Sequence, residues 1–198
     1  MPHQILTSAK SAMLKEYKDH VEERLQQGIP PLPLNAEQVA DLVELLKSPP
    51  AGEEEFILDL IKNRTPAGVD PAAYVKAAFL TALAKGETSS PLIDKKLATE
   101  LLGTMLGGYN VESLIKLLKD EEVGAIAADG LSKTLLMFNA KHEVIELAAE
   151  NENAKRVVES WSNGEWFTSK SKLPEVIKAI VFRVDGEINT DDFSPAQD

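Results

Sequence analysis

A mainly α-helical fold, built as successive helix pairs, follows from three observations. Apolar residues recur at three- and four-residue spacing in segment after segment. Clusters of Gly, Pro, Ser and Asn cut these segments into lengths of roughly 10 to 18 residues. A helix pair returns about every 35 to 40 residues, the period of two-helix solenoid repeats. A plain helical bundle gives the same periodicity. One stretch departs from the pattern. Residues 176–184 (Val-Ile-Lys-Ala-Ile-Val-Phe-Arg-Val) are rich in branched side chains without a helical stripe, and predict a largely buried strand. A lone strand does not fold by itself. The segment from Pro174 therefore reads as the opening of a second, β-containing domain, or as a strand added to an edge elsewhere.

Residues 1–12 carry no clear pattern and are expected to form an irregular N-terminal extension. The first helix is predicted from Met13 to Gln27, with Leu14, Tyr17, Val21 and Leu25 on one face and Gly28 closing it. Ile29 to Leu34 holds three prolines and predicts an extended connector. Asn35 is placed as an N-cap with Gln38 completing a capping box; the following helix buries Val39, Leu42, Val43 and Leu46 before Ser48-Pro49-Pro50. Glu53, Glu54 and Glu55 put negative charge at the next helix start, ahead of Phe56, Ile57, Leu60 and Ile61. Asp70-Pro71 caps and opens a helix to Lys85, ended by Gly86. Another helix is expected from Asp94 to Leu106, and Asn110 caps the next, which carries Val111, Leu114, Ile115 and Leu118. Two more are predicted, over 121–138 and 140–162.

Composition narrows the function classes. The chain holds 43% hydrophobic residues, enough apolar surface to offset the entropy of folding. It contains no cysteine, which excludes disulfides, thiolate metal sites and cysteine nucleophiles within it. No apolar run approaches the roughly 20 residues of a spanning helix, and a secretory signal pattern is lacking, so a cytoplasmic protein without a membrane role is expected. With 32 acidic against 21 basic residues, the net charge of −11 repels phosphate backbones and argues against a nucleic-acid partner.

Most candidate chemistry yields to a plainer reading. His3, His20 and His142 are scattered singly, without a partner at ligand spacing. Glu53 to Glu55 occupy successive helical positions that point in different directions, which suits a solvated helix start better than a metal site. Gly107-Gly108-Tyr109-Asn110 could cradle an anion, but with no preceding strand or lysine it reads as a helix–helix turn. Trp161, Trp166 and Phe167 suit packing of one domain on the next better than a partner patch. The loop after the predicted strand, 184–196, is different. Thr190, Asp191 and Asp192 place two carboxylates beside a hydroxyl, able to orient an arginine, a metal or a polar substrate; an Asp-rich turn before Pro195 is the structural alternative.

Several ordered stretches carry a family resemblance: Met13-Leu-Lys-Glu-Tyr, Pro49-Pro-Ala-Gly-Glu-Glu-Glu-Phe, Ala73-Tyr-Val-Lys-Ala, Leu101-Leu-Gly-Thr-Met, Gly107-Gly-Tyr-Asn, Leu135-Leu-Met-Phe, and Gly186-Glu-Ile-Asn-Thr-Asp-Asp-Phe-Ser-Pro-Ala. Together they resemble the N-terminal part of the bacterial aconitase B type of aconitate hydratase, over essentially Met13 to Asp198. The resemblance implies a HEAT-like helical domain over 13–163, a linker over 164–173, and the start of a swivel domain over 174–198. It implies roles in protein–protein contact, including a homodimer or binding to a full-length aconitase, and a part in the hydration chemistry that interconverts citrate and isocitrate. In the wider superfamily the Thr-Asp-x-x-Ser-Pro-Ala motif faces the substrate cleft. That maps a cleft-lining role onto Asp191, with Thr190 and Ser194 supporting the loop; Asp192 stands where histidine is frequent. The family's [4Fe-4S] cluster needs three cysteines, and this chain supplies none. The resemblance therefore implies a segment with no cofactor and no catalytic residue of its own.

Overall fold

The computed structural model describes residues 2–134, 139–181, 183 and 186, with side chains from residue 12 onward. The described residues form ten helices and no strand. The chain divides into two compact units, one of residues 1–32 with 173–198 and one of residues 33–172.

In the first unit, helix α1 spans Pro2–Gln26. It replaces the irregular extension expected over 1–12. Pro2 sits at the first helical position, where its missing N–H costs nothing, and no glycine or second proline interrupts the run to Ala12. A helix nucleated near Met13 therefore propagates backward with little opposition. At the other end Gly28 takes the left-handed conformation (φ 71°). Its N–H donates to the Leu25 carbonyl and the Ile29 N–H to that of Arg24, which closes the helix as a Schellman turn. The proline-rich connector then lies back along α1. Tyr17 donates its hydroxyl to the Leu32 carbonyl at 2.7 Å, Arg24 Nε donates to the Pro30 carbonyl at 2.9 Å, and the Leu32 N–H donates to His20 Nε2 at 3.0 Å. Among the described residues 173–181 there is no strand, and Leu173, Val176, Ile177, Ile180 and Val181 are all exposed. The physical reason is that no second strand is present among the described residues to complete the pairing the sequence calls for.

The second unit holds the other nine described helices. Helix α2 (Ala36–Lys47) starts with the full capping box, Asn35 and Gln38 each accepting the other's backbone N–H. Val39, Leu42, Leu45 and Leu46 are buried, while Val43 is only half-buried. Helix α3 (Glu54–Asn63) buries Ile57, Leu60 and Ile61. Helix α4 (Pro71–Ala84) is capped by Asp70, whose carboxylate accepts the Ala72 N–H at 2.7 Å. Helix α5 (Lys95–Gly103) is capped by Asp94 through the Leu97 N–H, also at 2.7 Å. Each large aliphatic side chain moved from water into this core contributes about 1.5–3 kcal/mol.

The later helices are shorter than the sequence predicts. Helix α6 (Val111–Leu117) is not capped by the Asn110 side chain. That amide is fully buried and donates to the Leu102 carbonyl at 2.7 Å, tying the turn to α5 instead. Helix α7 (Gly124–Ser132) starts late because Asp120 accepts the N–H groups of Glu122 and Val123 and holds the chain in a turn ahead of it; residues 135–138 lie outside those described. The helix expected over 140–162 is two, α8 (Lys141–Leu147) and α9 (Glu152–Ser162). The first ends at Leu147 in a turn over 148–150, and Asn151 caps the second by accepting the Ala154 N–H at 2.8 Å. A four-residue helix α10 (Glu165–Thr168) follows the left-handed Gly164.

Packing runs between near neighbours. Helix α2 packs on α3 and α4, α4 on α5, α5 on α7, α6 on α7, and α9 on α7, α8 and α10. The α5–α7 contact is made by backbone. A Cβ placed on Gly130 would stand 2.8 Å from the Gly103 Cα, and one on Gly103 would stand 3.0 Å from the Gly130 Cα. Only glycine at both positions lets these helices approach so closely. Lys95 of α5 reaches across to Asp120 at 2.8 Å, and that hydrogen bond holds the Asp120 carboxyl below its ordinary range.

Candidate functional site

Chemistry-bearing residues are sparse in the described part of the chain. Among the described residues, no helix is long and apolar enough to cross a membrane, and no group of three or more His, Asp or Glu side chains is arranged to hold a metal ion. Thr190, Asp191, Asp192 and Ser194 lie outside the described residues. Gly186, which opens the same loop, has a φ of 107°. Of the three histidines, His20 serves the connector as an acceptor, while His3 lies in α1 and His142 in α8. Glu54 accepts the Gly52 N–H at 2.8 Å, a local turn contact. Gly107 to Asn110 form a helix–helix turn, not an anion cradle: the Asn110 amide points inward, and Gly108 leaves a Cβ no room, only 2.6 Å from the Gly68 carbonyl oxygen. Trp161 donates its indole N–H to the Leu131 carbonyl at 3.1 Å, fastening α9 to α7. Trp166 and Phe167 contact each other with ring centroids 3.7 Å apart, and Lys170 lies over the Trp166 ring.

One surface feature that the sequence reading missed lies on α4. Its buried face is centred on Ala73, Lys76, Leu80 and Leu83, and its outward face carries Tyr74, Ala78 and Ala82. Tyr74 meets Tyr109 edge to face, centroids 5.1 Å apart, yet the two remain 58% and 40% exposed. Tyr109 is positioned by the close approach of Gly108 to Gly68 and by its hydroxyl donating to the Val69 carbonyl at 3.3 Å. Beside the pair, between α4 and α6, lies a hollow of about 370 Å³ whose lining includes Glu87 and Glu112. A hydrogen bond of 2.8 Å from Thr81 Oγ1 to Ser113 Oγ ties the two helices across it. On the other side of the Ala78–Ala82 ridge, between α2 and α4, a second hollow of about 380 Å³ has Val43, Val75 and Phe79 in its lining, beside Glu44 and Lys47. The pairing was not legible because Tyr74 and Tyr109 sit in separate elements, and spacing along the chain says nothing about which turns meet.

Lys76 is a second residue that no sequence pattern singles out. It is 3% exposed at the centre of the buried face of α4. Burial alone pushes its ammonium from 10.5 down to about 8.

Comparison with known proteins decides the family. The family model for the aconitate B N-terminal domain matches residues 16–167. The chain belongs to that family. Aconitate hydratase B of Pseudomonas aeruginosa is 62% identical over 187 residues, covering 94% of this chain and 22% of the relative. The enzyme of that name from Escherichia coli is 58% identical over the same shares, and that from Helicobacter pylori 47% identical over 93% and 22%. The chain thus spans about a fifth of the length of these curated relatives. The match covers α2 to α9 entirely, so the aromatic pair and both hollows of α4 lie within the family domain.

Proposed function

We propose that this chain is the N-terminal interaction and assembly segment of an aconitate hydratase of the aconitase B type, and that it does not catalyse by itself. The family match over residues 16–167 carries the reading, together with the small share of the relatives that the chain spans. In this reading the helix pairs of 33–172 are a HEAT-like solenoid, a view supported by packing that runs from each helix to near neighbours in sequence. Residues 174–198 begin the swivel domain, in which the exposed Val176, Ile177, Ile180 and Val181 pair with strands outside this chain. Asp191 then lines the substrate cleft, with Thr190 and Ser194 shaping its loop. Water addition and removal on the route from citrate through cis-aconitate to isocitrate fall to other parts of the enzyme, in the cytoplasm. The residues here do not fit the iron–sulfur cluster the family implies: the chain has no thiol donor, and its described carboxylates and imidazoles form no cluster.

A competing reading is a stand-alone scaffold that binds a full-length aconitase or another protein. That residues 33–172 form a compact unit of their own favours it. Two measurements test these readings. The purified 198-residue chain, treated with iron and sulfide, should show no aconitase turnover, and measurable turnover overturns the proposal. Mixed with the separately produced remainder of an aconitate hydratase B, it should elute as a complex and restore activity. Restored activity supports the segment reading; a complex only with intact aconitase supports the scaffold.

A further inference from the structure

We propose that the hollow between α4 and α6 receives an arginine side chain of a partner protein, with a nearby aliphatic residue of the same segment seated in the hollow between α2 and α4. The proposal deepens the interaction reading above and rests on it. Four observations on α4 and its neighbours carry it.

The aromatic pair is the first. An edge-to-face contact leaves ring surface unstacked, and both rings are substantially exposed although they dominate one wall of the hollow. A tyrosine face within about 6 Å attracts a cation through its quadrupole, and a planar guanidinium stacks on it better than an ammonium does. Charge is the second. Glu87 and Glu112 line the same hollow, and no lysine or arginine does. A phosphate or carboxylate ligand would meet two negative charges there; a guanidinium would meet two acceptors. Glu112 is bonded to Lys116, one turn along α6, and Glu87 has Lys85 at 3.9 Å. Both pairs are exposed, so an incoming base displaces them at small cost.

Rigidity is the third observation. The Gly108–Gly68 approach, the Tyr109–Val69 hydrogen bond and the Thr81–Ser113 hydrogen bond fix the walls before any partner arrives. A preformed site of this kind loses little conformational freedom on binding. Continuity is the fourth. Tyr74, Ala78 and Ala82 line both hollows, so a segment crossing the low alanine ridge reaches the acidic aromatic hollow on one side and Val43, Val75 and Phe79 on the other. A partner segment that carries an arginine and, a few residues away, an aliphatic side chain fits this surface.

The test titrates the ¹⁵N-labelled 198-residue chain with the peptide acetyl-Arg-Ala-Ala-Leu-amide, and with the same peptide carrying neutral citrulline for arginine. Saturable shifts are expected at the amides of Tyr74, Ala78, Tyr109 and Glu112, with at least fivefold weaker binding of the citrulline peptide. The double variant Glu87→Gln and Glu112→Gln, both at exposed positions, should weaken arginine-peptide binding at least fivefold while leaving the rest of the spectrum unchanged. Shifts confined to other surfaces, no saturable shift, equal affinity for the two peptides, or an unaffected double variant would each overturn the proposal. Association of the same chain with the remainder of an aconitate hydratase B is measured in parallel by sedimentation. If that association persists while the peptide arm fails, only the arginine site falls; if association is lost and the peptide still binds as expected, the assembly reading falls instead.

Discussion

Replacing Lys76 with methionine should stabilise the chain, by an amount that depends on pH. The side chain is 3% exposed, and burial lowers its ammonium from 10.5 to about 8. Each pH unit between those values corresponds to about 1.4 kcal/mol, so keeping the folded chain protonated at neutral pH costs about 3 kcal/mol. The direction follows from proton counting. Between about pH 8 and pH 10.5 the unfolded chain holds a proton that the folded chain has released, so folding stability rises with pH across that window. Below pH 8 both states are protonated and the full cost is present. Methionine matches the length of the lysine stem and removes the charge. Lys76→Met should therefore gain about 1–3 kcal/mol at pH 7, allowing for imperfect repacking. The gain should shrink toward zero near pH 10.5. Urea unfolding followed by circular dichroism, on both proteins at pH 7, 8.5 and 10, reads the difference directly and cancels the titration of every other group. A gain that does not change with pH, or a loss at pH 7, would refute the reasoning, because either means the ammonium is not held in an apolar setting.

Two further substitutions probe the packing and the caps. Gly130→Ala adds a methyl that would stand 2.8 Å from the Gly103 Cα, so α5 and α7 must separate. Overpacking of that kind costs about 1–3 kcal/mol and outweighs the gain of up to about 1 kcal/mol from better helix propensity, giving a net loss by thermal unfolding. Asn35→Ala removes half of the capping box at α2 and should cost about 1 kcal/mol, with the Gln38 amide proton exchanging faster in deuterium oxide.

Local signals were the legible ones. Asn35 with Gln38, Asp70 before Pro71, and Asp94 each start a helix where the sequence places one, because a side-chain acceptor two or three residues ahead of an amide acts within a single turn. Signals that depend on what lies across the fold were not legible. Asn110 has the same chemistry as Asn35, yet the carbonyl of Leu102 is within reach and takes its amide. Asn151 divides a stretch whose apolar spacing alone predicts one helix, since capping competes with continuation and periodicity records only the second. Residues 176–181 have strand composition but no strand among the described residues to pair with, and pairing is a non-local property. For the loop of Thr190, Asp191 and Ser194 the family resemblance remains the guide, as these residues are outside the described part.

The turn ahead of α9 binds the fate of one helix pair to the one before it. Asn151 and Asn153 both donate their side-chain amides to a single acceptor, the Leu118 carbonyl just past the end of α6, at 3.2 and 2.9 Å. Gly124, at the first position of α7, leaves that crossing open: a Cβ there would stand 2.5 Å from the Asn153 amide. Separating α8 and α9 from the helices before them therefore does more than expose apolar surface. It also strips two donors from a carbonyl of the preceding pair and loosens the entry to α7. Local opening there is penalised at its first step, so α8 and α9 should melt together with α6 and α7 as one cooperative block.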